Sequence, residues 1–234
     1  LRIVFPGILQ HHFEMTVGWR TAMVWALLAS LSPVAVQAEV ILSSDEITQT
    51  LRHGPWTSEP KLDPSNRVSG TPDAIALGEA LFSDPVLSID GTMTCASCHD
   101  PNMDFTDGRA RAMGRELLDR NTQALWNMGD HRWFGWGGEN DNLWAQSLKP
   151  ILRADEMAHT EETLQIAIGD STYLEDYEAL FGPLVDQDTT LTAVNVSKAL
   201  SAYIETLRTG QTSFDQFRDA LERGDMQTAA EYPQ

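Results

Sequence analysis

The 234-residue sequence predicts an all-α protein with long loops, on three observations. Apolar residues recur at helical spacing in several separate stretches, no alternating strand pattern of useful length appears, and glycine and tryptophan concentrate in one long connecting region. With 42% hydrophobic and 21% charged residues, the chain can build a real core. It carries no internal repeat and no low-complexity tract.

The N-terminus reads as an export leader. From Met15 the run MTVGWRTAMVWALLASLSPVAVQA places Arg20 before an apolar stretch from about Ala22 to Leu31 and ends on the small-residue pattern Val36-Gln37-Ala38. Cleavage is expected after Ala38, so residues 1–38 comprise upstream sequence and leader. The mature protein is then expected in the periplasm, without a membrane span, because the apolar stretch is short of the roughly 20 residues a spanning helix needs. Residues 39–70, rich in Pro, Ser and Asp, read as a loop-rich segment, with order beginning near Thr71.

The domain proper is expected over 71–212. Thr71-Pro72 opens a helix in which Ile75, Gly78, Leu81 and Phe82 share a face. From Gly91 to Gly138 the chain reads as loop, with seven glycines, and four of the seven tryptophans fall between Trp126 and Trp144. So many rings in irregular chain need something large to pack on. A helical stripe returns at Leu143, Trp144, Ser147, Leu148, Ile151 and Leu152, with Pro150 placed to kink or end it. Further helices are expected over 161–168, 174–181 and 193–208, the last with Val196, Leu200, Tyr203, Ile204 and Leu207 on one face and Gly210 as its cap. Residues 213–225 read as one more short amphipathic helix, within a 213–234 tail.

A balance of 16 Lys+Arg against 34 Asp+Glu gives a formal charge of −18, which disfavours nucleic acid and anionic membranes and favours basic protein partners. The two cysteines, both in CASCHD, supply the chemistry. Cys95-x-x-Cys98-His99 is the spacing that attaches a c-type haem: two thiols one turn apart meet the two vinyl groups and the adjacent imidazole reaches the iron. A structural zinc site lacks a second ligand pair, a disulfide-exchange site lacks its βαβ setting, and a bridge across two residues leaves His99 unexplained. A porphyrin also gives the tryptophan-rich loops a surface to wrap.

What one haem does depends on its sixth position. Met103, Met113, Met128 or Met157 could fill it in an electron carrier. An enzyme instead leaves it open, and Glu156, Gln146, His131 and His159 are available as acid–base or hydrogen-bonding groups. Taken singly, each of these reads more simply as a surface polar residue.

The motif order decides between them by resemblance. ALGEALFSDPVLSIDGTMTCASCHDPNMDFTDGRA, RNTQALWN, WFGWGGENDNLWAQSLKPILRADEM and SAYIETLRTGQTSFDQFRDAL, in that order over about residues 71–225, resemble the N-terminal haem domain of the bacterial dihaem cytochrome c peroxidases, closer to the MauG-like branch. The resemblance implies a cytochrome c-like fold holding one covalent haem c through Cys95 and Cys98, with His99 as proximal ligand. It implies Glu156 as the distal acid–base group, Gln146 as its distal-pocket partner, Trp136 as the tryptophan between two haems and Pro150 as a residue shaping the pocket. It further implies hydrogen peroxide as substrate, a small cytochrome c or cupredoxin as electron donor, and a calcium near Asn121. On this family pattern Met157 follows the glutamate and is not a ligand.

The sequence departs from the family pattern twice. The loop DPNMDFTDGRARAMGRELLD has no histidine to cap the iron, so the distal position is expected open at rest, unless His131 or a methionine enters. The sequence also contains no second Cys-x-x-Cys-His. The expectation is therefore the peroxide-reacting half of a two-haem enzyme, completed by a second haem domain, to which 213–234 would begin the connection, or by a dimer. A monohaem electron carrier is the alternative, and an inactive haem-bearing remnant the third reading.

Overall fold

The computed structural model describes residues 42–232, so the leader expected at 1–38 lies outside the described residues. Of these, residues 42–47 belong to one unit and residues 48–232 to a second. The second carries the fold described below, and helix α1 (Ser44–Leu51) crosses the division.

Helix α1 corrects the expectation that order begins near Thr71. Ser43 donates its backbone N–H to Glu46 Oε2 at 2.8 Å, and Glu46 returns its N–H to Ser43 Oγ at 3.3 Å. That reciprocal Ser-x-x-Glu cap is a legible helix start, hidden by the Pro- and Ser-rich run that follows it.

Helix α2 (Pro72–Ser83) starts where the sequence places it, with Thr71 at the N-cap position. The Thr71 hydroxyl does not cap it, however; it donates to the Val68 carbonyl at 2.8 Å and ties the helix to the preceding turn. Ala74, Leu77, Gly78, Leu81 and Phe82 are buried along one face, against α7 (Thr189–Ile204). Gly78 permits this approach. A Cβ there would fall inside the Ala199 carbonyl and reach 2.9 Å from Tyr203 Cβ.

Between them lie the one-turn α3 (Cys95–Cys98), then α4 (Leu143–Leu152), α5 (Glu161–Gly169) and α6 (Leu174–Phe181). Asn142 caps α4 by accepting from Ala145 N at 2.9 Å. Pro150 lies in the last turn of α4, where its missing N–H deletes one ladder bond, and the helix stops two residues later. Thr160 and Thr163 exchange hydrogen bonds to start α5.

The expected 193–208 helix is displaced. It starts at Thr189, where Asp188 accepts from Leu191 N at 2.7 Å, and ends at Ile204. Gly210 is not its cap. The Leu207 carbonyl accepts from Asn127 N at 2.8 Å, Thr209 N donates to Asn127 Oδ1 at 3.1 Å, and the Thr209 carbonyl accepts from Trp56 Nε1 at 3.2 Å. Tertiary partners thus claim the backbone that the apolar periodicity assigned to the helix. Helix α8 (Ser213–Arg223) closes on Gly224, which takes the left-handed φ of 70°, and α9 (Met226–Ala229) follows.

Helices α2, α4 and α5 pack on α7, around Phe82, Leu87, Ile151, Leu164, Val196 and Leu200. Burying each such side chain is worth about 1.5–3 kcal/mol. Cys95 and Ala96 lean on the same core, so the haem motif is anchored to it. Among the described residues there is no strand, only the isolated bridges Asp100–Thr106, Met113–Leu117 and Phe134–Asn140. Each closes a loop of the 91–142 region, and two of these loops organise the site. No helix among the described residues is long and apolar enough to cross a membrane.

Candidate functional site

The cysteines and histidine occupy a single capped turn. Thr94 accepts from Ser97 N at 3.1 Å while its own N–H donates to Ser97 Oγ at 3.0 Å, and His99 N donates to the Cys95 carbonyl at 2.9 Å. The turn carries the two thiols at its first and last residues, with the imidazole as its C-cap. Both cysteines are free and partly buried. Burial pushes the Cys95 thiol up to about 12, and the charges of Cys98 and Glu156 add to the rise. Cys98 is raised too, first by burial, then by Asp107 and Glu156. Disulfide-exchange cysteines need the opposite shift, so this environment argues against a redox dithiol.

His99 is held by its Nδ1, which donates to the Phe105 carbonyl at 3.1 Å, so Nε2 is the nitrogen that could serve a metal. Burial lowers its pKa, which favours the neutral, ligand-competent ring, while the Phe105 and Gln123 carbonyls and Asp107 pull it upward. The carbonyl is delivered by a tight loop in which Asp104 and Phe105 both adopt φ of 55°. Two successive left-handed residues without glycine are strained by about 1–3 kcal/mol each, a cost that surrounding structure must impose.

A second loop joins this turn to the acid. Cys98 Sγ donates to the Met113 carbonyl at 3.7 Å, and Arg115 N donates to the Asp155 carbonyl at 2.8 Å. The Arg115 guanidinium also pairs with Asp90. Gly114 lies directly against the Asp155–Glu156 turn, where a Cβ would strike the Asp155 carbonyl oxygen. Glu156 is thereby set near the thiols, both of which feel its charge. Burial lifts its carboxyl above the ordinary range and Asp155 pushes the same way, while the Arg153 guanidinium at 3.1 Å pulls it back.

The remaining residues singled out in the sequence fall into place unevenly. Gln146 is half-buried on α4, its Oε1 accepting from Asn140 Nδ2 at 2.7 Å. Gly135 lies beside it, where a Cβ would reach 3.0 Å from the same oxygen. The Pro150 carbonyl accepts from Met157 N at 3.0 Å and ties α4 to the Glu156 turn. Trp136 is 54% exposed and Trp133 58% exposed, the latter beneath the Arg132 guanidinium at 5.6 Å. Met157 is buried in the core, as is Met128, while Met103 and Met113 are largely exposed. His159 is a buried tie, Nδ1 to Thr163 Oγ1 at 3.0 Å and Nε2 to the Val86 carbonyl at 3.2 Å. His131 is exposed and lines a cavity of about 380 Å³ with Lys61, Phe134, Leu143 and Glu205. Asn121 is exposed, its side-chain amide 3.5 Å from the Thr122 carbonyl. Among the described residues no three His, Cys, Asp or Glu side chains converge as a metal site.

The donor set fits a covalent haem: two protonated thiols on one turn, a neutral imidazole oriented through Nδ1, and an apolar core behind them. The sequence reading missed Phe105, Gly114, Asn140 and Arg153. Of these only Arg153, three residues before Glu156, carries a local spacing signal; the others act through loop conformation.

The family model described as di-haem cytochrome c peroxidase matches residues 72–223. The chain is 34% identical over 149 residues to the methylamine utilization protein MauG of Methylorubrum extorquens, covering 63% of this chain and 41% of that protein. It is 30% identical over 148 residues to cytochrome c551 peroxidase of Nitrosomonas europaea, covering 62% and 43%. Among solved structures, a MauG-like protein associated with microbial copper homeostasis superposes with a TM-score of 0.58 at 25% identity, over 69% of this chain and 47% of that one. The chain thus spans less than half the length of these relatives, and its all-α, cytochrome c-like architecture is theirs.

Proposed function

Because the chain belongs to the di-haem cytochrome c peroxidase family, we propose that it is the peroxide-reacting haem unit of such an enzyme, exported to the periplasm. One haem c is attached through Cys95 and Cys98 and ligated by His99. The observation that carries this reading is the Gly114 loop, which ties a raised-pKa carboxyl, Glu156, to the cysteine turn.

When bound, the haem supplies an iron centre able to take up the oxidising equivalents of hydrogen peroxide. The chain's own residues handle protons and orientation. A carboxyl whose pKa burial raises suits Glu156 to take a proton from one peroxide oxygen and return it to the other. Arg153 limits that rise and fixes the carboxylate's direction. With the Gln146 oxygen occupied by Asn140, its Nε2 donors are the end free to orient a peroxide oxygen. Phe105 keeps His99 in the tautomer that presents Nε2. The exposed Trp136 offers a point of electron entry, from a second haem domain or a dimer partner and ultimately from a small cytochrome c or cupredoxin. The acidic surface suits a basic donor. A calcium at Asn121 has the family resemblance as its only support, and no step depends on it.

The ferric haem-loaded protein is expected to show a high-spin, five-coordinate optical and EPR spectrum. A low-spin His/Met spectrum that disappears in Met157→Ala would replace this reading with the electron carrier. Glu156→Gln is expected to slow the reaction with peroxide by about 10²–10⁴-fold at unchanged haem content, and an unchanged rate would remove the proton-transfer role.

A further inference from the structure

We propose that Trp126 and Asp104 form an oxidisable relay on the His99 side of the site. Through it, one electron leaves the indole for the oxidised haem centre while the indole proton passes to the carboxylate. The inference rests on the peroxide reading above and concerns where oxidising equivalents go when no donor supplies electrons.

Three contacts place the pair. Trp126 Nε1 donates to Asp104 Oδ1 at 3.3 Å. The Trp126 ring meets Phe105 edge-on, centroids 4.9 Å apart and planes at 90°. The Phe105 carbonyl accepts from His99 Nδ1 at 3.1 Å. One ring contact and one hydrogen bond therefore separate the indole from the imidazole that ligates the iron. The strained pair Asp104 and Phe105, both at φ of 55°, is what brings these contacts together: one residue faces its carboxylate to Trp126, the next its carbonyl to His99. Strain maintained at such a junction is a mark of function.

The proton acceptor singles Trp126 out. Trp56 donates to the Thr209 carbonyl and Trp144 to the Ser65 hydroxyl, neither of which takes a proton at neutral pH. Tyr203, 5.2 Å from the Phe82 ring, is a phenol whose proton burial holds more tightly. In the proposed step the indole loses one electron and its Nε1 proton, so the N–H bond breaks and an O–H bond forms on Asp104. The electron reduces by one equivalent the haem centre that hydrogen peroxide has oxidised. A neutral indolyl radical remains, to be refilled by one electron from an external reductant with return of the proton. Asp104 is exposed, so the relay opens onto the surface.

The test treats the haem-loaded full chain with hydrogen peroxide in the absence of donor. Haem absorption, the EPR radical signal and oxygen incorporation at each tryptophan by peptide mass spectrometry are all read. Trp126 is expected to carry more oxidation than Trp133 and Trp136, although these are 58% and 54% exposed. The apo chain should show no such preference. Asp104→Asn retains an acceptor oxygen but takes no proton, and should reduce Trp126 oxidation at least about tenfold with an unchanged haem spectrum. Trp126→Phe should abolish the radical signal, and Asp104→Asn decides the matter if that variant fails to load haem. A haem that responds to peroxide while Trp126 stays unmodified, or is modified equally in Asp104→Asn, overturns the relay and leaves the peroxide reading standing. A haem that does not respond to peroxide at all overturns both.

Discussion

Gly114→Ala tests how Glu156 is positioned, at a residue that touches neither substrate nor haem ligand. Gly114 is not among the glycines with positive φ, so alanine suits its backbone and the only obstacle is space. The added Cβ would stand well inside 3.0 Å of the Asp155 carbonyl oxygen and 3.4 Å from Glu156 Cα. That carbonyl also accepts from Arg115 N at 2.8 Å, so both sides of the contact are backbone and neither can swing aside. Restoring ordinary contact moves the Asp155–Glu156 turn by roughly 1 Å, and a misplacement of that size in an active site costs on the order of 10²-fold in rate. Crowding of this kind also costs about 1–3 kcal/mol of stability. The assay is stopped-flow reaction of the haem-loaded variant with peroxide, beside haem content and thermal unfolding. The expected result is full haem attachment, since the Thr94–Ser97 capped turn is untouched, with the rate down about 10–100-fold. A rate within twofold of the parent, in a folded and loaded variant, would refute the reasoning that the 112–118 loop sets Glu156.

Other outcomes follow from the same structure. Gly78→Ala forces α2 away from the Ala199 carbonyl on α7 and should lower the unfolding free energy by about 1–3 kcal/mol or more, measured by denaturant titration with the helical CD signal as readout. Glu205, buried at the end of α7 and accepting from Ser69 and from Ser201 at 3.2 Å, has its pKa raised by burial. A raised carboxyl stabilises the fold fully below the ordinary value of 4.5 and loses that contribution as pH climbs through the folded value. Stability of the parent should therefore fall more steeply above pH 4.5 than that of Glu205→Gln, and parallel curves from pH-dependent denaturation would show Glu205 to be unperturbed. His159 is lowered by burial, so protonation on acidification should destabilise the fold below its ordinary value of 6.5, and His159→Gln should flatten that part of the curve.

The sequence alone determined what is local. The haem motif is legible because its chemistry needs two thiols and an imidazole within one turn, and Thr94 and Ser97 build that turn from adjacent residues. Helices α5 and α6 appear where the apolar spacing puts them, since an amphipathic stripe and a cap are short-range signals. The family resemblance carried by the motif order also singled out Glu156, Gln146 and Trp136.

Tertiary structure decided the rest. Helix α7 ends at Ile204, because Asn127 and Trp56, distant in sequence, take the backbone groups of 207–209. The proximity of Glu156 to the cysteines follows from a loop that only glycine at position 114 lets so close, and the Trp126–Asp104 contact from two strained residues. Periodicity is blind to these features. An irregular loop has no repeating hydrogen bond to select its conformation, so long-range contacts select it. The loops between 91 and 142, where periodicity fails, are the part of the chain that gathers the site.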